Sequence, residues 1–373
     1  MVREYVGRVA LRLARIAREL ALRFERGGRL YALGRGAYAT DAAHVSVEFV
    51  HPVLVGKRAL PAMDASAAPE AWIATLVGER DIVIGFGPPE GDPEVRRALA
   101  LARERGALVV AFPGSGAEAD FPEPCDDDHL HQEIFEILGH TLYESVHVYL
   151  EHRGGTSELG EWSFLYPYLT SDAPAREELV DDVARSIVAK AEEGSHLREA
   201  VAETQCRTIA AAIAAIRASL ARGGKLVLFG NGGSATDATD WAIDCIAPGR
   251  RFRPIPAVTL ANEPAILTAI SNDVGVELVF MRQVIAQSNP QDVAIALSTS
   301  GGSKNVIAAL GEARKRGMPT VALLGYDGGE IARQGLADFP IVVASREIPR
   351  IQETQAAIYH VIREALAEAA DAA

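Results

Sequence analysis

The sequence predicts an α/β protein that contains two copies of one domain, each a parallel sheet flanked by helices. Its length of 373 residues fits two or three domains rather than one. Blocks of the first half recur in the second half in the same order. Within each copy, short apolar runs bounded by Gly, Pro or Asp alternate with helical patterns, which is typical of strands covered by helices on both faces.

The repeat consists of three blocks that align without internal gaps. The aligned pairs are 27–48 with 223–244, 81–114 with 292–325, and 131–140 with 351–360. Because the three blocks keep their order, we interpret the chain as a duplicated unit. We expect a first domain over 1–153, a linker over 154–175 and a second domain over 176–373.

Each copy is expected to form a five-stranded parallel sheet of the flavodoxin-like type. In the second copy, the predicted strands are 225–230, 255–260, 293–298, 320–325 and 340–345. The N-terminal segment predicts an amphipathic helix, whose apolar residues at helical spacing are Val6, Val9, Leu13, Ile16 and Leu20. Its Arg-rich outer face is expected to be a solvated surface.

Composition and charge exclude several classes of protein. The apolar fraction of 49% and the charged fraction of 23% argue against a disordered, collagen-like or coiled-coil chain. A formal charge of -13 disfavours nucleic acid and anionic membranes as partners. We expect no membrane span, since no apolar run approaches about 20 residues. Cys125, Cys206 and Cys245 form no CxxC pair, so the sequence predicts a cytoplasmic protein without disulfides or a cysteine zinc site.

Two loops of the second copy have the composition of phosphate-binding loops. A Gly-rich turn follows the strand 225–230 and opens a helix, which allows backbone N–H groups and the helix N-terminus to bind an anion. A loop with four hydroxyls and two glycines, 298–303, ends the strand 293–298. The predicted phosphate-binding residues are Asn231, Gly232, Gly233, Ser234, Ser298, Thr299, Ser300 and Ser303. A serine-rich helix cap is the alternative interpretation, although a cap needs only one hydroxyl.

The second copy resembles the sugar isomerase (SIS) domain and, within it, the phosphoheptose isomerase family. The segments that carry the resemblance are GNGGSATDA (230–238), SNDVG (271–275), LSTSGGSKNV (297–306), RKRGMPTVALLGYDGG (314–329) and IQETQAAIYH (351–360). The first copy resembles the same domain more distantly. The resemblance implies isomerisation of sedoheptulose 7-phosphate to D-glycero-D-manno-heptose 7-phosphate, a phosphate held on the hydroxyl loops, and a possible zinc ion. It also implies that Asn272, Asp273 and Gln352 contact the substrate.

Members of that family carry a His and a Glu four residues apart, and a Gln and a His eight residues apart on the last helix. These four side chains can bind zinc, and the Glu and the last His also act as base and acid. The matching set in the first copy is His44, Glu48, Gln132 and His140. The alternative set in the second copy is Asp240, Asp244, Gln352 and His360, in which two Asp replace His and Glu. The resemblance therefore implies Glu48, His140, Asp244 and His360 as candidate catalytic residues.

The two copies retain complementary parts of the family's site. The first copy keeps the complete set of four family residues. At the positions of the two phosphate loops, however, it has the different segments 35–38 and 85–89. We hypothesise that the copies form a pseudodimer in which the first supplies catalytic groups and the second holds the phosphate. Two chains are then expected to form a homodimer with four SIS domains. In the alternative interpretation, the polar residues of the first copy are inherited from the duplication without a role.

Two classes of function remain open. The first is an isomerase that acts on a small-molecule sugar phosphate through an enediol, which needs a base, an acid and a group that stabilises an oxyanion. The second is a non-catalytic phosphosugar-binding regulator or a partner of an initiator protein. The Asp replacements at 240 and 244 and the Arg-rich first helix favour the second class. Isomerisation of a hexulose or hexosamine phosphate is a further possibility within the same fold.

Overall fold

The computed structural model describes residues 1–52, 57–114, 119–153, 176–248 and 252–371. It divides into two compact units, Met1–Ser195 and His196–Ala373. The linker predicted over 154–175 lies outside the described residues. Both units are α/β, which confirms the predicted fold class.

In the first unit, helices and strands alternate along the chain. The elements are α1 (Val2–Glu25), β1 (Leu30–Leu33), α2 (Tyr38–Val50), β2 (Ala62–Asp64), α3 (Pro69–Leu76), β3 (Ile82–Phe86), α4 (Pro93–Glu104), β4 (Leu108–Phe112), α5 (Asp128–Arg153) and the first part of α6 (Arg176–Ala221). The strands are parallel in the order β2-β1-β3-β4. Leu30 and Ala32 belong to the core on one face, whereas Tyr31 and Leu33 belong to the core on the other. The sheet is therefore covered on both faces, as its apolar runs predict.

Helix α1 has the amphipathic character that its spacing predicts. Val6, Val9 and Leu13 are among its buried residues, and they belong to the same core as apolar residues of α5. The Arg side chains of its outer face, including Arg8 and Arg15, are exposed. Burial of the apolar stripe thus accounts for the position of this helix.

The first unit differs from the prediction in the number of its strands. Four strands are present among its described residues, not five. After β4, the chain makes only an isolated parallel bridge between Ala111 and Asp120. Pro113, Pro122 and Pro124 lie in this stretch, and proline cannot donate a backbone hydrogen bond to a strand ladder. The prediction of a fifth strand is therefore wrong for the described part of the first unit.

In the second unit, the five predicted strands are confirmed. After α6, the elements are β5 (Leu226–Phe229), α7 (Gly233–Ile246), β6 (Ala257–Thr259), α8 (Pro264–Asp273), a 3₁₀ turn (Val276–Leu278), α9 (Val279–Gln287), β7 (Val293–Ser298), α10 (Lys304–Lys315), β8 (Thr320–Gly325), α11 (Gly329–Arg333), β9 (Phe339–Val343) and α12 (Ile348–Asp371). All strands are parallel in the order β6-β5-β7-β8-β9, which is the flavodoxin-like order. No helix in the described part of the chain combines the length and apolar character of a membrane span.

The boundary between the two compact units lies inside α6, between Ser195 and His196. Leu179, Val183 and Ile187 are buried in a core of the first unit. Ala212 and Ile216, further along the same helix, are buried in a core of the second unit. Helical periodicity indicates which face of a helix is buried but does not indicate which core receives it.

Candidate active site

The predicted phosphate loops of the second unit lie at one edge of its sheet. One follows β5 and the other follows β7, and these two parallel strands are hydrogen-bonded neighbours. A third loop, 326–329, follows β8, the neighbour of β7 on the other side. The carboxyl ends of parallel strands are the usual ligand position in open α/β sheets. The three loops therefore place several ligand-binding groups along one edge.

Within the loop 298–303, Ser298 and Ser300 accept hydrogen bonds from the loop backbone, and three of the four hydroxyl residues remain accessible. Ser298 is buried, and its Oγ accepts a hydrogen bond from Gly301 N at 3.1 Å and lies 3.5 Å from Ser303 Oγ. Ser300 is exposed, while Thr299 and Ser303 are partly exposed. Ser303 is the N-cap residue of α10 but makes no side-chain cap hydrogen bond. The accessible hydroxyls and the N-terminus of α10 together form a site for an anion.

The loop after β8 packs so closely on the loop 298–303 that glycines are required at the contact. A Cβ atom on Gly301 would lie 2.2 Å from Gly328 O, and one on Gly329 would lie 2.2 Å from Ser300 O. Both glycines have positive φ, +60° and +57°. Ile331 N also donates to Gly301 O at 2.9 Å. The loop after β8 thus fixes the backbone on which the hydroxyls are placed.

A reciprocal pair of amides joins the two phosphate loops. Asn231 Nδ2 donates to Asn305 Oδ1, and Asn305 Nδ2 donates to Asn231 Oδ1, both at 2.9 Å. Asn305 is buried, and its Oδ1 also accepts from Val306 N in the first turn of α10. Residue Asn305 was not singled out by sequence reasoning, because its partner lies 74 positions away in the chain.

Replacement of Asn305 by Asp is expected to weaken the binding of a sugar phosphate about 10- to 100-fold. The change removes a donor to Asn231 and adds a negative charge at the predicted anion site, effects of about 1 to 3 kcal/mol. Isothermal titration with a sugar phosphate measures the affinity. Asn289→Asp is the matched control, since it adds the same charge to an exposed residue before the other end of β7. Equal affinities of the two variants would contradict the assigned role of Asn305.

The second unit also brings together three residues of its predicted metal-binding set, which include its acid and base candidates Asp244 and His360. His360 Nε2 lies 3.8 Å from Asp240 Oδ2 and 3.7 Å from Asp244 Oδ2. Asp240 Oδ2 accepts a hydrogen bond from Tyr359 Oη at 2.7 Å. Nearby on α12, Gln352 is buried, and its Oε1 has no hydrogen-bond partner among the described residues. Tyr359 was missed by sequence reasoning, since an aromatic residue on a buried helix face is usually core.

The first unit brings together His44, Glu48 and His140, all of them buried. His140 Nε2 lies 3.2 Å from His44 Nε2 and 3.2 Å from Glu48 Oε1. One ligand atom of each residue lies within 4.8 Å of the others, so the group can hold a metal ion. Neither carboxylate oxygen of Glu48 has a hydrogen-bond partner among the described residues. A buried carboxylate without donors is costly, and a bound cation would satisfy it.

The fourth residue of this predicted set, Gln132, donates its amide Nε2 to Asp41 Oδ2 at 3.1 Å. Asp41, together with Phe86, Phe135 and Glu136, is among the residues that line a small cavity beside the cluster. The cavity measures about 10 Å³. Such a space accommodates a body the size of a water molecule but not a sugar.

The segments that replace the phosphate loops in the first unit have other partners. Arg35 forms an ion pair with Glu94 at 2.5 Å. His131 Nε2 lies 3.0 Å from Gly87 O. Burial lowers the pKa of His131, so the neutral ring donates from Nε2 to this carbonyl at pH 7. The described residues 35–38 and 85–89 therefore lack the hydroxyl-rich cup that the second unit contains.

The remaining predicted contacts lie at the end of α8. Asn272 and Asp273 are exposed, and Asn272 Nδ2 donates to Asp273 Oδ1 at 2.8 Å. Cys245 is buried on α7, close to the Asp pair in sequence. Burial raises the pKa of its thiol to about 12, which keeps it protonated and unsuited to act as a nucleophile.

Comparison with known proteins relates the second half of the chain to one group of enzymes. The family model of the SIS domain matches residues 191–325. The phosphoheptose isomerase of Geobacter sulfurreducens is 41% identical over 188 residues, which cover 49% of this chain and 95% of the relative. The phosphoheptose isomerase of Aquifex aeolicus is 40% identical over 177 residues, 47% of this chain and 92% of the relative.

Solved structures that match nearly the whole chain share its fold. The C-terminal domain of glucosamine-fructose-6-phosphate aminotransferase from Francisella tularensis covers 98% of this chain, and 92% of that structure is matched, with a TM-score of 0.58 and 9% identity. A putative phosphosugar isomerase from Silicibacter pomeroyi covers 99% of this chain, with 96% of that structure matched, a TM-score of 0.54 and 12% identity. At such identities the likeness concerns the fold alone. Because a relative is matched over 95% of its length at 41% identity, the chain belongs to the SIS-domain family that includes the phosphoheptose isomerases.

Proposed function

We propose that this protein is a phosphosugar isomerase that interconverts a ketose phosphate and an aldose phosphate. The proposed pair is sedoheptulose 7-phosphate and D-glycero-D-manno-heptose 7-phosphate. The observation that carries the proposal is the loop 298–303, with accessible hydroxyls at the N-terminus of α10, within the residues that the SIS-domain model matches.

The loop favours a phosphate monoester over other anions. Thr299, Ser300 and Ser303 offer hydroxyl donors on one short segment, and the first turn of α10 offers backbone N–H groups. A phosphate has three terminal oxygens and accepts several such hydrogen bonds at once. No lysine of a P-loop motif is present, which disfavours a nucleoside triphosphate. The proposed ligand is therefore a small phosphorylated molecule held by neutral donors.

Isomerisation needs groups that remove a proton next to a carbonyl and return it to the adjacent carbon. In the second unit, Asp244 is the proposed base and His360 the proposed acid, with their reactive atoms 3.7 Å apart. In the first unit, Glu48 and His140 form the equivalent pair at 3.2 Å. In the second unit, a carboxylate beside the imidazole stabilises the protonated ring, which donates to a developing oxyanion.

The first unit is the proposed site of zinc. Zinc bonds of about 2.0 to 2.2 Å with tetrahedral geometry place ligand atoms about 3.4 Å apart. The separations of 3.2 Å from His140 Nε2 to His44 Nε2 and to Glu48 Oε1 fit this geometry, and within the described part of the chain the buried Glu48 oxygens have no hydrogen-bond partner. The chemistry that bound zinc supplies is Lewis acidity toward a carbonyl oxygen.

The proposal is tested by incubation of the purified full chain with sedoheptulose 7-phosphate in D₂O. We expect formation of the aldose and incorporation of deuterium at the carbon next to the carbonyl. His360→Asn is expected to lower turnover by about 100-fold or more, within the range of general acid-base effects, and to change phosphate affinity little. Binding of the sugar phosphate without turnover or exchange would contradict an isomerase and would support a phosphosugar-binding regulator, which the two Asp replacements favour.

A further inference from the structure

Next to the acid and base clusters, the two copies of the repeat carry side chains of different size at two equivalent positions. In the alignment, Gly139 corresponds to Tyr359, and Val45 corresponds to Trp241. The two positions touch in both units. A Cβ atom on Gly139 would lie 3.3 Å from Val45 Cγ2, and the rings of Trp241 and Tyr359 stack with centroids 5.4 Å apart. The first unit thus has a small pair where the second unit has an aromatic pair.

The small pair leaves space in the first unit. Gly139 and Val45 line the cavity of about 10 Å³ that also borders His44, Glu48 and His140. A metal ion is about as large as a water molecule, and this space accommodates a water molecule. The space therefore lies next to the buried Glu48 oxygens that lack hydrogen-bond partners among the described residues.

In the second unit, the phenol of Tyr359 occupies the corresponding position. It is buried and donates to Asp240 Oδ2 at 2.7 Å, the oxygen that also faces His360. An ion bound by Asp240 and His360 would compete with a short buried hydrogen bond and with a ring stacked on Trp241. The separations of 3.7 and 3.8 Å are also wider than the 3.2 Å of the first unit.

We infer that each chain binds one metal ion, in the first unit, and that Tyr359 excludes an ion from the position between Asp240 and His360 of the second unit. The inference rests on the proposed metal site of the first unit. Gly139 keeps that site open. At the equivalent position of the second unit, the hydroxyl of Tyr359 donates a hydrogen bond to Asp240, where an ion would otherwise bind. The second unit therefore keeps its acid and base residues without a metal requirement.

Metal content per chain tests the stoichiometry. The full-length protein is loaded with zinc, dialysed against metal-free buffer and analysed by inductively coupled plasma mass spectrometry. We expect about one equivalent in the wild type, none in His44→Ala and one in Asp240→Ala. Two equivalents, or loss of the ion in Asp240→Ala, would overturn the inference. No metal in the wild type would overturn it together with the first-unit metal site, whereas isomerase activity, measured separately, decides the proposed function.

A matched pair of substitutions tests the space at Gly139. In Gly139→Ala, the added Cβ lies 3.3 Å from Val45 Cγ2, and among described residues outside its own helix it meets no other atom within 4 Å; a small shift of the valine relieves this contact. In Gly139→Tyr, the ring is larger than the cavity and takes the space that an ion would need. We expect the Ala variant to retain the ion and the Tyr variant to lose it, with circular dichroism used to establish that both fold. Equal metal content in two folded variants would contradict the role of Gly139.

The converse exchange tests Tyr359 directly and does not depend on the folding of Gly139→Tyr. The variant Asp240→His/Asp244→Glu restores the ligand types of the first unit but keeps Tyr359. The variant Asp240→His/Asp244→Glu/Tyr359→Gly removes the phenol as well. We expect a second equivalent of zinc only in the triple variant. A second equivalent in both variants, or in neither, would show that Tyr359 does not exclude the ion.

Discussion

Gly301→Ala is expected to reduce the affinity for a sugar phosphate by about 100-fold or more, a loss of about 2.7 kcal/mol. The residue has φ +60°, and its Cβ would lie 2.2 Å from a backbone oxygen of Gly328, which a side-chain rotation cannot relieve. The loop 298–303 must therefore change its backbone, and its hydroxyls lose their positions. Isothermal titration with sedoheptulose 7-phosphate measures the effect.

Gly311→Ala is the matched control for this substitution. Gly311 lies within α10, the helix that begins at the loop, and an added Cβ would meet no atom of the described residues outside this helix within 4 Å. A change from Gly to Ala inside a helix stabilises it by up to about 1 kcal/mol. We expect unchanged phosphate affinity in this variant. Equal affinity of Gly301→Ala and the wild type would refute the requirement for close packing between the loops.

Removal of bound metal is expected to destabilise the first unit by several kcal/mol. A ligand that binds only the folded state stabilises it by about 4 kcal/mol when its free concentration is 1,000 times its Kd. In the absence of an ion, neither oxygen of the buried Glu48 carboxylate accepts a hydrogen bond from a described residue, although His140 Nε2 lies 3.2 Å from Oε1. We therefore expect a chelator to lower the melting temperature of the wild type and to leave that of Glu48→Gln nearly unchanged.

Glu151→Gln serves as the control for the chelation experiment. Glu151 also lies in the first unit, on the same helix as His140, but it forms an ion pair with Lys57. This variant is expected to lose stability with the chelator as the wild type does. A melting temperature of the wild type that does not respond to the chelator would argue against a metal site at His44, Glu48 and His140.

The phosphate loops could be predicted from the sequence because their chemistry is local. Adjacent residues, 231–234 and 298–303, supply the donors, and strand-to-helix turns place them at the edge of the sheet. Prediction of the cluster of His44, Glu48 and His140 required two further kinds of information, namely the internal repeat and the family resemblance. Spacing on a helix predicts a shared face, and the structure shows that the two helices meet there.

Other features depend on contacts between distant residues and could not be predicted. The amide pair of Asn231 and Asn305 needs the relative positions of two loops. The hydrogen bond from Tyr359 to Asp240 joins residues 119 positions apart. By contrast, the absence of a fifth strand from the described part of the first unit agrees with Pro113, Pro122 and Pro124 in the sequence; the prediction of five was carried over from the second copy.

The position of the phosphate group in a complex tests the central claim most directly. A crystal of the full chain soaked with sedoheptulose 7-phosphate is expected to show the phosphate within hydrogen-bond distance of the Ser300 hydroxyl, at the N-terminus of α10. A phosphate bound at any other place, with the loop 298–303 left free of ligand, would contradict the account.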